Sequence, residues 1–102
     1  MLLTGKQRAY LRGLGQAMEP VVFIGKAGIT AKLRAELEDA IQARELVKCR
    51  VLPNAPGAPR EIAVNLAADS QAELAGVVGR NFLLWRRSVE KPGIELPDEL
   101  TP

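Results

Sequence analysis

The spacing of apolar residues along the chain changes between the helical period and the strand period. Apolar side chains recur three or four positions apart in three segments, and in four others they alternate with polar ones or form short runs. The pattern predicts helices over residues 5–17, from Thr30 to Arg44 and over 60–69, and strands over 21–24, 46–52, 72–78 and 82–87. The predicted order is therefore α-β-α-β-α-β-β in a mixed α and β fold.

Capping residues and chain breakers mark the ends of these elements. Thr4 followed three positions later by Gln7 fits a capping box, and Thr30 can cap the second helix. Pro20 ends the first helix, although its last turn is already weakened by glycines. Residues 53–59, PNAPGAP, can continue neither periodic element and are predicted to form a loop.

The same pattern predicts how the elements pack. The apolar run VVFI, residues 21–24, is typical of a strand buried on both faces. Strand, helix and strand within residues 21–52 predict a right-handed crossover between parallel strands, and the last two strands predict an antiparallel hairpin. The residues expected to face the core include Tyr10, Leu11, Leu14 and Met18 on the first helix, Cys49 on the second strand, and Ile94 and Leu96 in a tail after Pro92.

Composition excludes several classes of protein. The 102 residues, 47% of them hydrophobic, suit one globular domain, and no apolar run approaches the ~20 residues that span a bilayer. Residues 1–20 do not resemble a signal peptide, so we expect a cytoplasmic protein with no membrane partner. One cysteine, Cys49, and no histidine exclude a disulfide framework, a typical zinc site and a Cys-His nucleophile pair.

Charge is segregated along the chain although the net charge is only +2. Residues 1–34 contain six bases and one acid, whereas residues 35–73 contain seven acids and four bases. Residues 74–91 again contain four bases and one acid, and the tail that follows contains Glu95, Asp98 and Glu99. Such segregation predicts one basic face, the usual footprint of a polyanion partner. Chance clustering on a solvated surface is the alternative.

The segment GKAG, residues 25–28, lies between a predicted strand and a predicted helix. Gly25 and Gly28 would let the backbone approach a ligand, while Lys26 and the helix start favour an anion such as phosphate. The spacing is not that of a Walker loop, and Ala31 stands where a dinucleotide fingerprint needs its third glycine. A tight strand-to-helix turn without a ligand remains the alternative interpretation.

A GXXG loop that clamps a nucleic-acid backbone fits better, but the loop of KH domains joins two helices, whereas this one follows a strand. The segments LTGKQRAYLRGLGQAMEPVVFIGKAGIT, ELVKCRV and VVGRNFLLWRRS together resemble the CRM domain (chloroplast RNA splicing and ribosome maturation) in its single-domain YhbY-like form, over residues 2 to about 89. Two departures are visible: Gln16 and Ala17 replace a common Ala-His pair, and residues 69–72 replace a common Thr-Gly turn.

The resemblance implies a compact domain, residues 1–91, with a four-stranded mixed sheet and three helices, similar to the C-terminal domain of translation initiation factor 3, followed by a tail over 92–102. It also implies RNA binding through the GXXG loop and neighbouring basic surface, and association with precursors of the large ribosomal subunit. Together with the charge pattern it makes these residues the candidate RNA contacts: Gly25, Lys26, Ala27, Gly28, Thr30, Lys6, Arg8, Arg12, Lys32, Arg34 and Arg86.

We therefore expect a non-catalytic, cofactor-free monomer that positions ribosomal RNA phosphates with little base readout. The competing hypothesis is an adaptor that binds a ribosomal protein or assembly factor through its sheet. An enzyme acting on RNA is a third, for which the sequence offers no histidine, metal cluster or activated nucleophile. Tyr10 and Trp85 could stack on bases, but we expect both to pack in the core.

Overall fold

In the computed structural model, which describes residues 2–98, three helices flank a four-stranded sheet. The elements are α1 (Gly5–Gln16), β1 (Val22–Ile24), α2 (Ala31–Arg44), β2 (Leu46–Val51), α3 (Pro59–Asp69), β3 (Glu73–Val78) and β4 (Asn81–Trp85). The predicted order and mixed single-domain fold are confirmed. Met1 and the last four residues of the predicted tail, including Glu99, lie outside the described residues.

Local signals in the sequence account for the helix starts. Thr4 Oγ1 accepts a hydrogen bond from Gln7 N, and Gln7 Oε1 accepts one from Thr4 N, which completes the predicted capping box. Thr30 Oγ1 accepts from Leu33 N at 3.1 Å and caps α2. Pro59 occupies the first turn of α3, where its missing N–H costs no helical hydrogen bond.

The sheet has the strand order β1-β2-β4-β3. β1 and β2 pair in parallel, and β4 pairs antiparallel with both β2 and β3. The predicted parallel crossover partners and the predicted hairpin are both present. The end of β1, where the GKAG loop follows, therefore lies at the same end of the sheet as the start of β4.

Each face of the sheet contacts its own core cluster. α2 and α3 pack on one face against side chains that include Val47, Cys49 and Phe82. On the other face, α1 packs against Leu46, Leu83 and other side chains of β2, β3 and β4. The second cluster also contains Leu96, with Ile94 packed against it, so the tail lies on the body as expected.

Helix α1 contacts the sheet along a different line from the one predicted. Leu11 is buried and Met18 half-buried, but Tyr10 and Leu14 are exposed, and the buried positions of the helix are instead Gln7, Leu11 and Gly15. The reason is the close approach at Gly15, where an added Cβ would lie 2.5 Å from a methyl carbon of Leu83. The glycine that weakens the helix locally is thus the residue that lets it sit on the sheet.

Strand β1 is buried on one face only, so the prediction of a strand buried on both faces is wrong. Val22 and Ile24 are buried against α2 and its neighbours, whereas Val21 and Phe23 point to the opposite face and are exposed. β1 is an edge strand, and α1 packs over β2, β3 and β4. An apolar residue on the α1 face of β1 therefore remains in contact with solvent.

Candidate nucleic-acid interface

The GKAG loop forms a tight turn in which the two glycines have different requirements. Gly28 N donates to Gly25 O at 2.9 Å, and Gly28 has φ +69°, where an added Cβ would also lie 3.1 Å from Pro56 Cγ. The turn itself therefore requires glycine at position 28. Gly25 has no such backbone conformation, and a Cβ there would make only an ordinary 3.6 Å contact with Leu52.

The loop presents a cation and a helix start on one shallow depression of about 250 Å³. Lys26 and Ala27 are exposed at the tip, and no ion pair of Lys26 occurs within residues 2–98. Lys32 lines the same depression, together with the carboxylate of Glu36. Thr30 is committed to capping α2, whose first N–H groups precede the helical hydrogen bonds and face this end of the sheet. Gly25 to Gly28, Thr30 and Lys32 thus line one depression.

Arg12 lies beside a second concavity, between α1 and the sheet. This cleft, of about 370 Å³, is bordered by Arg12, Gln16, Lys48 and Asn81 among others. The Arg12 guanidinium donates to Ala75 O at 3.2 Å, and its side-chain stem covers Gly76, where an added Cβ would lie 2.6 Å from Arg12 Cδ. Arg12 is therefore held on the sheet by its stem and by this hydrogen bond, and its side chain borders the cleft.

Two of the predicted contacts lie at the other end of α1. Lys6 pairs with Asp98 at 3.1 Å, and the Arg8 guanidinium donates to Leu3 O at 2.8 Å. Leu3 N in turn donates to the carboxylate of Glu73, which pairs with Trp85 at the end of the sheet furthest from the loop. Lys6 and Arg8 therefore lie at the opposite end of the domain from the GKAG loop.

Two more predicted contacts pair with acids on the side of α2 and α3. Arg34 pairs with Asp69 at 3.4 Å, while Arg86 pairs with Glu38 and donates to Ser70 O at 2.8 Å. The hydrogen bond from Arg86 holds the pKa of the Glu38 carboxyl below its ordinary value. Arg34 and Arg86 therefore each pair with one acid of the middle segment of the chain, Asp69 and Glu38 respectively.

Sequence reasoning missed two exposed side chains next to the loop, Phe23 and Arg50. The parallel register pairs them on neighbouring strands, and neither is covered by α1. Arg50 has no ion pair or side-chain hydrogen bond within residues 2–98. The strand period already separates Arg50 from the buried Cys49 and Val51, but only the register shows that it lies beside an exposed aromatic ring.

Other candidate chemical groups serve the core. Trp85 is buried as expected, and the Arg87 guanidinium lies 5.0 Å above its ring, a cation–π contact. Burial raises the pKa of the Cys49 thiol to about 12, which leaves it protonated and unreactive. Residues 2–98 contain no group of three potential metal ligands, and no helix among them is long and apolar enough to cross a membrane.

Comparisons with known proteins identify the family of this chain. The family model of the CRS1/YhbY (CRM) domain matches residues 3–86. The "Probable RNA-binding protein YqeI" of Bacillus subtilis is 33% identical over 96 residues, covering 94% of this chain and 100% of that protein. An "RNA-binding protein" of Haemophilus influenzae is 34% identical over 99 residues, covering 93% of this chain and 95% of its own length.

A solved structure shows the same architecture. The solution structure of SAV1595 from Staphylococcus aureus superposes with a TM-score of 0.79 at 39% identity, covering 95% of this chain and 100% of that one. The family match spans all seven elements, from the residue before the α1 cap to the residue after β4. The chain belongs to the CRS1/YhbY (CRM) domain family.

Proposed function

We propose that this protein binds structured ribosomal RNA in precursors of the large ribosomal subunit, as a cofactor-free, non-catalytic monomer in the cytoplasm. The GKAG backbone and Lys26 hold an RNA phosphate, and Lys32 and Arg12 contact neighbouring parts of the backbone. Membership of the family and the names of the two relatives support RNA as the partner.

The observation that carries the proposal is the glycine at position 25. Gly28 is explained by its positive φ, but neither conformation nor crowding in the fold requires Gly25 to lack a side chain. A ligand that approaches the backbone closely does require it. Lys26, which has no ion pair within residues 2–98, lies at the same turn next to the positive end of the α2 dipole, and this supports an anion as the ligand.

Arg34 and Arg86 have intramolecular partners that satisfy their charge, and Lys6 and Arg8 lie at the far end of the domain. We therefore assign the phosphate contacts to the loop, Lys32 and Arg12, and not to these four bases. With so few phosphate contacts, the logarithm of the affinity should fall with the logarithm of salt concentration with a slope of roughly −2 to −4.

The test compares Lys26→Glu and Gly25→Ala with a matched control, Lys91→Glu, which makes the same charge change at an exposed lysine away from the loop. Binding of a fluorescent ribosomal RNA hairpin should weaken about tenfold or more in the two loop variants, because each removes a close phosphate contact, and should change far less in the control. Equal affinity of the folded loop variants and the wild type would refute the proposal.

The adaptor hypothesis makes a different prediction for the cell. Precursor subunits are sedimented with and without prior nuclease digestion, and the protein is followed by immunoblotting. We expect the protein to leave the particle fractions once RNA is digested. Retention on a ribosomal protein or assembly factor after digestion would favour the adaptor.

A further inference from the structure

One row of side chains crosses the whole sheet immediately before the GKAG loop. The pairing registers align Phe23 on β1 with Arg50 on β2, Arg50 with Asn81 on β4, and Asn81 with Val78 on β3. Paired residues share a face, and the next residues along, such as Ile24 and Val51, point into the opposite core. With strands about 4.8 Å apart, the row is about 14 Å long.

This row is open to solvent at both ends. Phe23, at the end next to the loop, is 49% exposed and its neighbour Arg50 is exposed as well, while Val78, at the other end, is 73% exposed. Phe23 also borders the depression that contains Gly25 and Lys26. The aromatic ring therefore lies next to the proposed phosphate site.

The row leads to the cleft that Arg12 borders. Asn81 and Val78 form part of the cleft wall, opposite Arg12 and Gln16 of α1. Asn81 Oδ1 is buried without a hydrogen-bond partner among the described residues, an arrangement that costs about 1–3 kcal/mol when no donor is supplied. None of the residues that line the cleft is acidic.

Proteins bind single-stranded nucleic acid with exposed aromatic faces, arginines beside them and positively charged paths. Here Phe23 is exposed beside Arg50, which has no ion pair in the part of the chain that the structure describes. A paired RNA helix would keep its bases stacked away from the sheet, whereas unpaired bases are free to stack on side chains. We propose that this row binds unpaired nucleotides of RNA, with one base stacked on Phe23 beside Arg50 and the strand continuing past Asn81 toward Arg12. This rests on the proposed function, to which it adds a contact with bases.

The experiment uses two fluorescent RNAs, an unstructured oligouridine and a fully paired hairpin with a minimal loop, in anisotropy titrations with the full chain. Phe23→Leu keeps an apolar residue of similar size but removes the aromatic face, and Arg50→Gln removes the charge. Each should weaken oligouridine binding about tenfold, the cost typical of losing one stacked base. Hairpin binding should change by less than about twofold in Phe23→Leu.

Matched controls lie on α3, on the other side of the molecule. Val64→Ala alters an apolar side chain with the same 49% exposure as Phe23, and Arg60→Gln removes an exposed arginine. Both should bind the two RNAs like the wild type. Phe23→Tyr retains an aromatic ring and should bind oligouridine like the wild type.

A second readout does not depend on a loss of affinity. Phe23→Trp places a fluorophore at the exposed site, while Trp85, 1% exposed, contributes a constant background. A stacked base should quench the new emission on saturation with oligouridine, and the hairpin should not.

The outcomes separate this inference from the proposed function. Unchanged oligouridine affinity in Phe23→Leu, or no quenching in Phe23→Trp, overturns the base site, and the proposed function still stands if Lys26→Glu weakens hairpin binding. If the wild type binds neither RNA, the proposed function fails and the base site fails with it.

Discussion

The carboxylate of Glu45 is the polar group whose removal should destabilise the fold most. Glu45 follows α2 directly, has φ 65° and is 1% exposed. Its two oxygens accept hydrogen bonds from Ser88 N at 2.8 Å, Gly93 N at 2.9 Å and Ile94 N at 2.8 Å, and from the Arg87 guanidinium at 3.1 Å. One buried side chain thus holds the segment after β4 against the end of α2.

We expect Glu45→Ala to lower the free energy of unfolding by about 3–5 kcal/mol, the usual cost of breaking a buried charged pair by removing one partner. Three backbone N–H groups lose their acceptor together, the Arg87 guanidinium loses its carboxylate partner but keeps its hydrogen bond to Ile94 O, and each hydrogen bond to a charged group contributes about 1.5–3 kcal/mol. The total loss is smaller than the sum of these hydrogen bonds, because water hydrates the backbone groups of the released tail. Alanine and glutamate both tolerate a positive φ poorly, so the change isolates the carboxylate.

Thermal denaturation followed by circular dichroism measures the effect. For a domain of this size, a loss of about 3 kcal/mol lowers the melting temperature by roughly 12–24 °C. Asp39→Ala, which removes an exposed carboxylate on the same helix, is the matched control and should change stability by less than about 0.5 kcal/mol. A loss below about 1 kcal/mol in Glu45→Ala would refute the reasoning, because it would mean that the network contributes nothing net.

The pH dependence tests the same carboxylate. Burial raises the pKa of Glu45, but the hydrogen bonds from Ile94, Gly93 and Ser88 and the charge of Arg87 outweigh it, so that the pKa lies below its ordinary value of 4.5. A carboxyl with a depressed pKa stabilises the fold fully above its unfolded value and loses this contribution as pH falls through the folded one. The stability difference between wild type and Glu45→Gln should therefore be largest above pH 4.5 and shrink at lower pH.

Three further changes test the packing around the site. The Cys49 thiol, buried and with its pKa raised to about 12, should resist iodoacetamide at pH 8 in the native protein and react once urea unfolds it; native-state labelling at the denatured rate would contradict its placement. Lys48 Nζ donates to Gly15 O and Met18 O at 3.0 and 3.1 Å, so Lys48→Met should lower the free energy of urea unfolding by about 1–3 kcal/mol; no change would show that water serves these carbonyls equally well. Gly15→Ala places a methyl group against Leu83, and this overpacking should lower the free energy of unfolding by about 1–3 kcal/mol, and with it the melting temperature, despite alanine's better helix propensity. A raised melting temperature would mean that Leu83 moves aside.

The sequence by itself determined the elements and their order. The capping box at Thr4, the cap at Thr30, the alternation around Cys49 and the prolines of residues 53–59 act within a few residues of their own position. Their structural consequences therefore follow from local chemistry. The position of the GKAG loop at a strand-to-helix junction, and its resemblance to the family's loop, could be recognised for the same reason.

Only the tertiary structure decided which charges and rings are available to a ligand. Arg86 and Glu38 are far apart in sequence but form an ion pair, and Lys48 is used to hold the end of α1. Phe23 looks like a core residue in an apolar run and is exposed because β1 is an edge strand beyond the cover of α1. These outcomes depend on strand order, register and helix placement, which arise from contacts between distant segments and have no local signature in the chain.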